Sequence, residues 1–374
     1  MTHRLVALVA AVALVAGACS SASTSSPPPP SQAPASQAAP ASSAAPSAAP
    51  SAAPSAAPSA APSAMSGANL NVAFFAASSA NGWSAAAWQG IQSEAAKVGA
   101  HATLYDGQFS ASVQLSQVED ATTSGKFNGF VIVANDTVGI ASAIQSAWQT
   151  AKIPTVTLLF PIGPDLTTLQ SQVPGIFGTI ARPPADGAKL QADSVIQYCQ
   201  NINPCRVVIL IGQLQYPFDK NRDDAYLADL KPHTNIQVVA TGQGNYDRDT
   251  SLKVMQDILQ AHPQINAVLS NADQQTEGAV LALQAAGIDP KSLFITGAGA
   301  TQTAVAAVRS GEWTNTLADY PVSCGSSAVD TLVKYLQGNT TPVVINEDTF
   351  EPFSPLLTPA ILKANPDFIG QWKG

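Results

Sequence analysis

Charged side chains are scarce in these 374 residues: Asp, Glu, Lys and Arg make up 11% of the chain, with 17 Lys+Arg against 25 Asp+Glu and a formal net charge of -8. No cluster of Lys and Arg occurs anywhere, which excludes recognition of nucleic acid or of an anionic membrane through a basic face. Histidine is rarer still, with four residues at positions 3, 101, 233 and 262. They lie too far apart for metal-ligand spacing, so neither a metal site nor another cofactor is expected. Neither a P-loop nor a GxSxG elbow is present, and no nucleophile, base and orienting group can be assembled, so the chain is not expected to be an enzyme. A membrane span needs roughly 18 to 20 apolar residues. The run from Leu5 to Val15 is well short of that, and no later stretch replaces it.

What the N-terminus does contain is the layout of a secretory signal peptide over residues 1–18: a basic start at Arg4, the apolar run, and small residues up to Cys19. Ala16-Gly17-Ala18-Cys19 satisfies the rule for ordinary cleavage and also resembles a bacterial lipobox, with Ala16 where leucine is usual. Lipidation of Cys19 is the expectation, because a cysteine followed by a structureless linker is what a membrane-anchored domain needs. Ordinary cleavage before Cys19 is the alternative. From Cys19 to Gly67 the chain is almost all Ser, Ala and Pro, with SAAP repeated in tandem from Ser43 to Pro62. Nothing there can offset an ordering entropy of about 1–2 kcal/mol per residue, so a disordered, extended tether is expected. It reads as a spacer, or as a stalk glycosylated at its serines.

The remaining chain is long enough for two lobes with cores of their own. From Asn69 onward strand and helix patterns alternate, which implies parallel sheets covered by helices. Apolar runs at VAFFAA from Val72, FVIVA from Phe130, VTLLF from Val156, RVVILIG from Arg206, IQVVA from Ile236, AVLS from Ala267 and LFITG from Leu293 read as strands. One helix with a single apolar stripe is expected from Ser84 to Val98, and another from Gln274 to Ala286 with Gly287 ending it. Cys199 and Cys205 bracket the polar loop QNINP between a helix and a strand, and in an exported chain they are expected to form a disulfide. Cys324 would then be left unpaired, as a small apolar residue packed on a helix.

Ligands of open parallel sheets bind beyond the carboxyl ends of the strands. The informative segments are therefore Ser78 to Ser84, Phe160 to Gly163, Gln213 to Arg222, Asn245 to Arg248, Asn271 to Gln274, Gly297 to Thr301, and Asp319 with Tyr320. Trp83, Phe160 and Tyr246 stand in them beside Asn81, Arg222, Asp273 and Asp319. Flat apolar faces with a few directed polar groups are the usual lining of a small-molecule cleft.

The ordered series ASSANGWSAAAWQGIQSEAAKVG, QLSQVEDATTSGKFNGFVIVAND, IPTVTLL, NYDRDTSLKVMQDILQAHPQINAVLSNADQQTEGAVLALQAAG and AVAAVRSGEWTNTLADYP resembles the type I periplasmic binding proteins, nearest to their ribose-binding branch. The resemblance implies an α/β fold of two Rossmann-like lobes with parallel sheets, joined by three crossovers. It places the first lobe at 68–178 and 320–346, and the second at 179–319 with a tail at 347–374. It also implies capture of a sugar or sugar-like solute in the cleft and its delivery to the permease subunits of an ABC importer, by a monomer on the outer face of the cell membrane or in the periplasm. A sensor subunit reporting to a membrane receptor or kinase is the alternative, as is a binder of a less polar ligand.

Carried over by position, Asn81 and Trp83 match an asparagine and a ring-stacking aromatic, Arg222 an arginine that binds ring hydroxyls, and Tyr246 a second stacking aromatic. Five positions depart from the pattern: Leu159-Phe160 replaces an Asp-Arg pair, Ala272 an asparagine, Gly299 an aspartate, and Asp319 a glutamine. Trp83 and Tyr246 have bland readings as core and exposed turn, Arg222 as a surface helix start, and Asp273 as a helix N-cap. The GAGA turn from Gly297 reads as a plain strand-to-helix turn. A buried Asp319 needs a partner, for which Arg222 or the ligand could serve.

Overall fold

The computed structural model describes Gly67 and residues 69–374. The expected signal peptide, Cys19 and the linker up to residue 66 lie outside them. Among the described residues, no helix is long and apolar enough to cross a membrane.

The chain first alternates through β1 (Asn71–Ala76), α1 (Gly82–Val98), β2 (His101–Asp106), α2 (Ala111–Thr123), β3 (Gly129–Ile132), α3 (Ala141–Ala151), β4 (Thr155–Leu159) and β5 (Ile176–Ala181). It repeats the pattern through α4 (Pro184–Cys199), β6 (Cys205–Ile211), α5 (Pro217–Leu230), β7 (Ile236–Gln243), α6 (Arg248–Ala261), β8 (Ala267–Ser270), α7 (Asp273–Ala285), β9 (Phe294–Gly299), α8 (Gln302–Ser310) and β10 (Asn315–Ala318). It then runs through α9 (Pro321–Leu336), β11 (Val343–Asn346), β12 (Leu356–Leu357) and α10 (Pro359–Ala364).

Two six-stranded sheets result, in the orders β11-β5-β4-β3-β1-β2 and β12-β10-β9-β8-β6-β7. Every pairing is parallel except β10 with β12. Since β11 joins the first sheet and β12 the second, the chain passes between sheets three times, after β5, β10 and β11. The first passage comes a few residues later than expected. A boundary at 178 would cut β5, which stays in the first sheet to Ala181.

The inner strands form because their apolar runs are buried on both faces: β3, β6 and β8 are buried at nearly every position. The side chain of Asn81 accepts the Ser84 amide at 3.2 Å, and left-handed Gly99 closes the other end of α1. In α7 the C-cap is Ala286, with Gly287 following at φ 75°. Cys199 and Cys205 are bonded across the α4–β6 loop, and Cys324 is buried and unpaired among the described residues.

One arginine joins all three passages. Arg182, after β5, donates from Nη2 to the Ala318 carbonyl at 2.6 Å and from Nη1 to Asp319 at 3.2 Å, both at the end of β10. Its Nε donates to Asp348 at 2.7 Å and its Nη1 lies 3.7 Å from Glu347, both after β11. Arg182 is 5% exposed and Glu347 1%. Burial opposes the arginine's charge, but Glu347, Asp319 and Asp348 outweigh it and hold the guanidinium protonated. Burial also pushes Glu347 up to about 8 despite Arg182.

Candidate functional site

At the carboxyl ends of both sets of strands the two sheets face a shared cavity. From the first sheet come Asn81 before α1 and Trp83 in its first turn, Phe109 after β2, Asn135 after β3, and Leu159 and Phe160 at the end of β4. From the second come Tyr216, Phe218, Asp219 and Arg222 at the start of α5, Tyr246 after β7, and Asn271 and Gln274 around the start of α7. Asp319 and Trp372 also line it.

Aromatic rings close the mouth. Phe109 stacks on Tyr246 with centroids 6.1 Å apart, and Phe160 on Phe218 at 4.6 Å, so first-sheet rings meet second-sheet rings in two places. The Tyr216 hydroxyl donates to the Phe109 carbonyl. The lobes are thus in contact around the space they enclose. Among the described residues seven non-glycines have positive φ, and three of them line that space: Phe109 at 51°, Leu159 at 73° and Tyr246 at 57°. Such backbone costs on the order of 1–3 kcal/mol per residue and gathers at ligand clamps.

The polar groups fall into two sets. Asp219, fully buried, accepts from the Tyr246 hydroxyl, from Asn271 Nδ2 at 2.7 Å and from the Gln213 amide at 2.6 Å. Burial raises its pKa against the pull of those bonds, and Tyr246 is pushed well up by burial and by Asp219, so the phenol stays a donor. Asn271 in turn accepts from Gln275 at 2.7 Å. That network is satisfied within the protein.

The second set is not. Trp83 Nε1 and Gln274 Oε1 are buried without a hydrogen-bond partner. Arg222 is 5% exposed, forms no ion pair among the described residues, and has its guanidinium 5.1 Å from the Phe218 ring. Trp83, Gln274 and Arg222 all line the cavity, and among the described residues each retains unmet bonding capacity: a donor, an acceptor and a cation.

Six of the seven candidate residues from the sequence are brought together here: Asn81, Trp83, Phe160, Arg222, Tyr246 and Asp319. Asp273 is not. It is the first residue of α7 rather than its N-cap, and its carboxylate turns away to accept from the Thr301 amide and the Thr316 hydroxyl, each at 2.8 Å. Asp319 has Arg182 as its partner, not Arg222. Tyr216, Phe218, Asp219 and Asn271 sit in segments the strand-end rule marks, and Asn135 follows β3 in the same way. Phe109 follows an edge strand whose half-exposed pattern hides it. Trp372 has no signal in the sequence; it covers Gly299, where the family resemblance has an aspartate.

A family model for the periplasmic binding protein domain matches residues 72–340. The ribose import binding protein of Salmonella typhimurium is 28% identical over 249 residues, which cover 67% of this chain and 79% of that one. A galactofuranose binding protein of known structure superposes with a TM-score of 0.69 at 23% identity, covering 79% of this chain and 96% of its own. A Caulobacter myo-inositol binding protein gives 0.69 at 20% identity, covering 80% and 96%. The two structures speak to fold alone, and they agree with the paired parallel sheets. With a family model running from β1 past the end of α9, and an enclosed cavity between the sheets it spans, this chain belongs to the periplasmic binding protein domain family.

Proposed function

We propose that the chain is an exported solute-binding protein that encloses a compact polyhydroxylated ring between its lobes and hands it, unaltered, to the permease of an ABC importer. The observation that carries this is the unmet set in the cavity. Ring hydroxyls can accept from Trp83 Nε1 and Arg222 and donate to Gln274 Oε1, while C–H faces lie on the aromatic walls. The relatives are named for ribose, galactofuranose and myo-inositol, all rings of this kind. In this reading Asn81, Trp83, Phe160, Arg222, Tyr246 and Asp319 form the ligand shell, and Cys19 carries a lipid that fixes the protein to the outer face of the membrane through its tether.

A ligand present at a hundredfold excess over its dissociation constant stabilises the folded chain by about 2.7 kcal/mol. A thermal-shift screen of pentoses, hexoses, inositols, amino acids and nucleosides should therefore return a sugar or cyclic polyol, and Trp83→Ala should weaken that hit more than tenfold. A screen in which only amino acids or nucleosides shift the melting temperature would refute the proposal.

A further inference from the structure

Trp372 reaches the cavity from beyond the last helix, on a segment fastened to both lobes. On the second-lobe side the Arg309 guanidinium donates to four carbonyls, those of Leu362 at 2.8 Å, Asn365 at 3.0 Å, Pro366 at 3.0 Å and Phe368 at 2.8 Å. The Gln302 amide donates to the Trp372 carbonyl at 2.8 Å, and Trp372 Nε1 donates to the Gly299 carbonyl at 2.8 Å. On the first-lobe side Gln371 and Ser323, in α9, bond reciprocally: Gln371 Nε2 donates to Ser323 Oγ at 2.6 Å, and the Ser323 amide donates to Gln371 Oε1 at 3.1 Å.

The indole is held between two positions that have no side chain. A methyl group at Gly82, which opens α1, would lie 3.0 Å from Cζ3, and one at Gly299, which ends β9, would lie 2.7 Å from Cζ2. The ring is 6% exposed and forms part of the cavity lining. An aromatic side chain of this size covers about 150–250 Å². Its indole N–H is already used on Gly299, so what it presents to the cavity is apolar bulk rather than a hydrogen bond.

We propose that Trp372 is a specificity-determining residue that sets the size of the ligand: strapped to both lobes and wedged between Gly82 and Gly299, it walls off the space a second ring would need. This role rests on the solute-binding reading above. It confines the site to single-ring polyols and ties the wall to the closed arrangement of the lobes, since the strap grips both.

The test is calorimetric titration of the native chain, Trp372→Ala and Trp372→Phe with ribose, galactose, myo-inositol, maltose and cellobiose. The native chain should bind at least one single-ring compound and discriminate against both disaccharides by more than tenfold. Trp372→Ala should weaken the best single-ring ligand tenfold or more, and should lower the ratio of disaccharide to single-ring dissociation constants at least tenfold. Loss of packing alone would weaken all ligands together and leave that ratio in place, so a ratio within threefold of native overturns the proposal. If Trp372→Ala does not fold, Trp372→Phe decides: the smaller ring should shift the ratio by threefold or more, and an unchanged ratio overturns the role. A native chain bound by none of the three, and by no other pentose, hexose or inositol of the thermal-shift screen, overturns the solute-binding reading, and this role with it, whereas native binding with an unmoved ratio overturns this role alone.

Discussion

Asp273 is a carboxyl that the fold holds in its least comfortable place. It is 0% exposed, and burial pushes its pKa from 3.8 up to about 7, with the bonds from Thr301 and Thr316 pulling the other way. An acid whose folded pKa lies above its unfolded one binds its proton more tightly in the native state. Its contribution to stability is whole below the unfolded pKa and is lost as pH rises through the folded one. At 1.36 kcal/mol per pKa unit the loss is roughly 2 kcal/mol by pH 5 and roughly 4 kcal/mol by pH 8, so about 2–3 kcal/mol disappears between the two. Asp273→Asn keeps the shape, can still accept from the Thr301 amide, and has no charge to bury. Urea unfolding followed by tryptophan fluorescence at pH 5 and pH 8 should then show the native chain losing about 2–3 kcal/mol more than the variant across that interval. Glu347, also raised, titrates in both chains and cancels from the comparison. Parallel losses in the two proteins would refute the assignment of a native-state proton to Asp273.

Further outcomes follow from other parts of the fold. Arg182→Met leaves Glu347 buried without its cation and should cost about 3–5 kcal/mol at pH 8. The cost should be smaller at pH 5, where Glu347 is protonated in both proteins; equal costs at both pH values would remove Glu347 from the effect. Replacing Cys199 and Cys205 together by serine opens a loop with a sequence separation of 6. Loop-closure entropy puts that at about 2 kcal/mol, visible as a lower melting temperature. Ligand affinity should not change, because the loop lies at the opposite end of β6 from the cavity. Arg222→Met, which keeps the stem on Phe218 and removes the charge, should weaken ligand binding tenfold or more in titration calorimetry, while an unchanged affinity would place the guanidinium outside the contact set.

The inner strands were legible because parallel strands buried on both faces read as uninterrupted apolar runs: AVLS at Ala267 is β8 residue for residue. The edge strands β2 and β11 were not, because half-exposed positions break the run. Inner β5 was missed too, because Gly178 interrupts it, which put the first lobe boundary inside a strand. Most of the cavity followed from one rule, that ligands gather past the carboxyl ends of strands, and each segment named by that rule contributes a wall residue. Direction is what the rule cannot supply. Asp273 stands in the correct segment but faces the next loop, and the partner of Asp319 comes from a residue 137 positions earlier. Trp372 arrives from a segment without regular structure, where periodicity carries no information.

The meeting of three chain passages on one guanidinium bears on how the lobes can move. Two bodies joined by a single thread can swivel, twist and slide. Three threads pinned side by side leave little freedom except bending about the line they define, and the pin here is a buried arginine rather than a flexible contact. Relative motion of the lobes is thereby reduced to one coordinate, open against closed. A docking partner could then sense occupancy from the separation of two surface points, without touching the ligand.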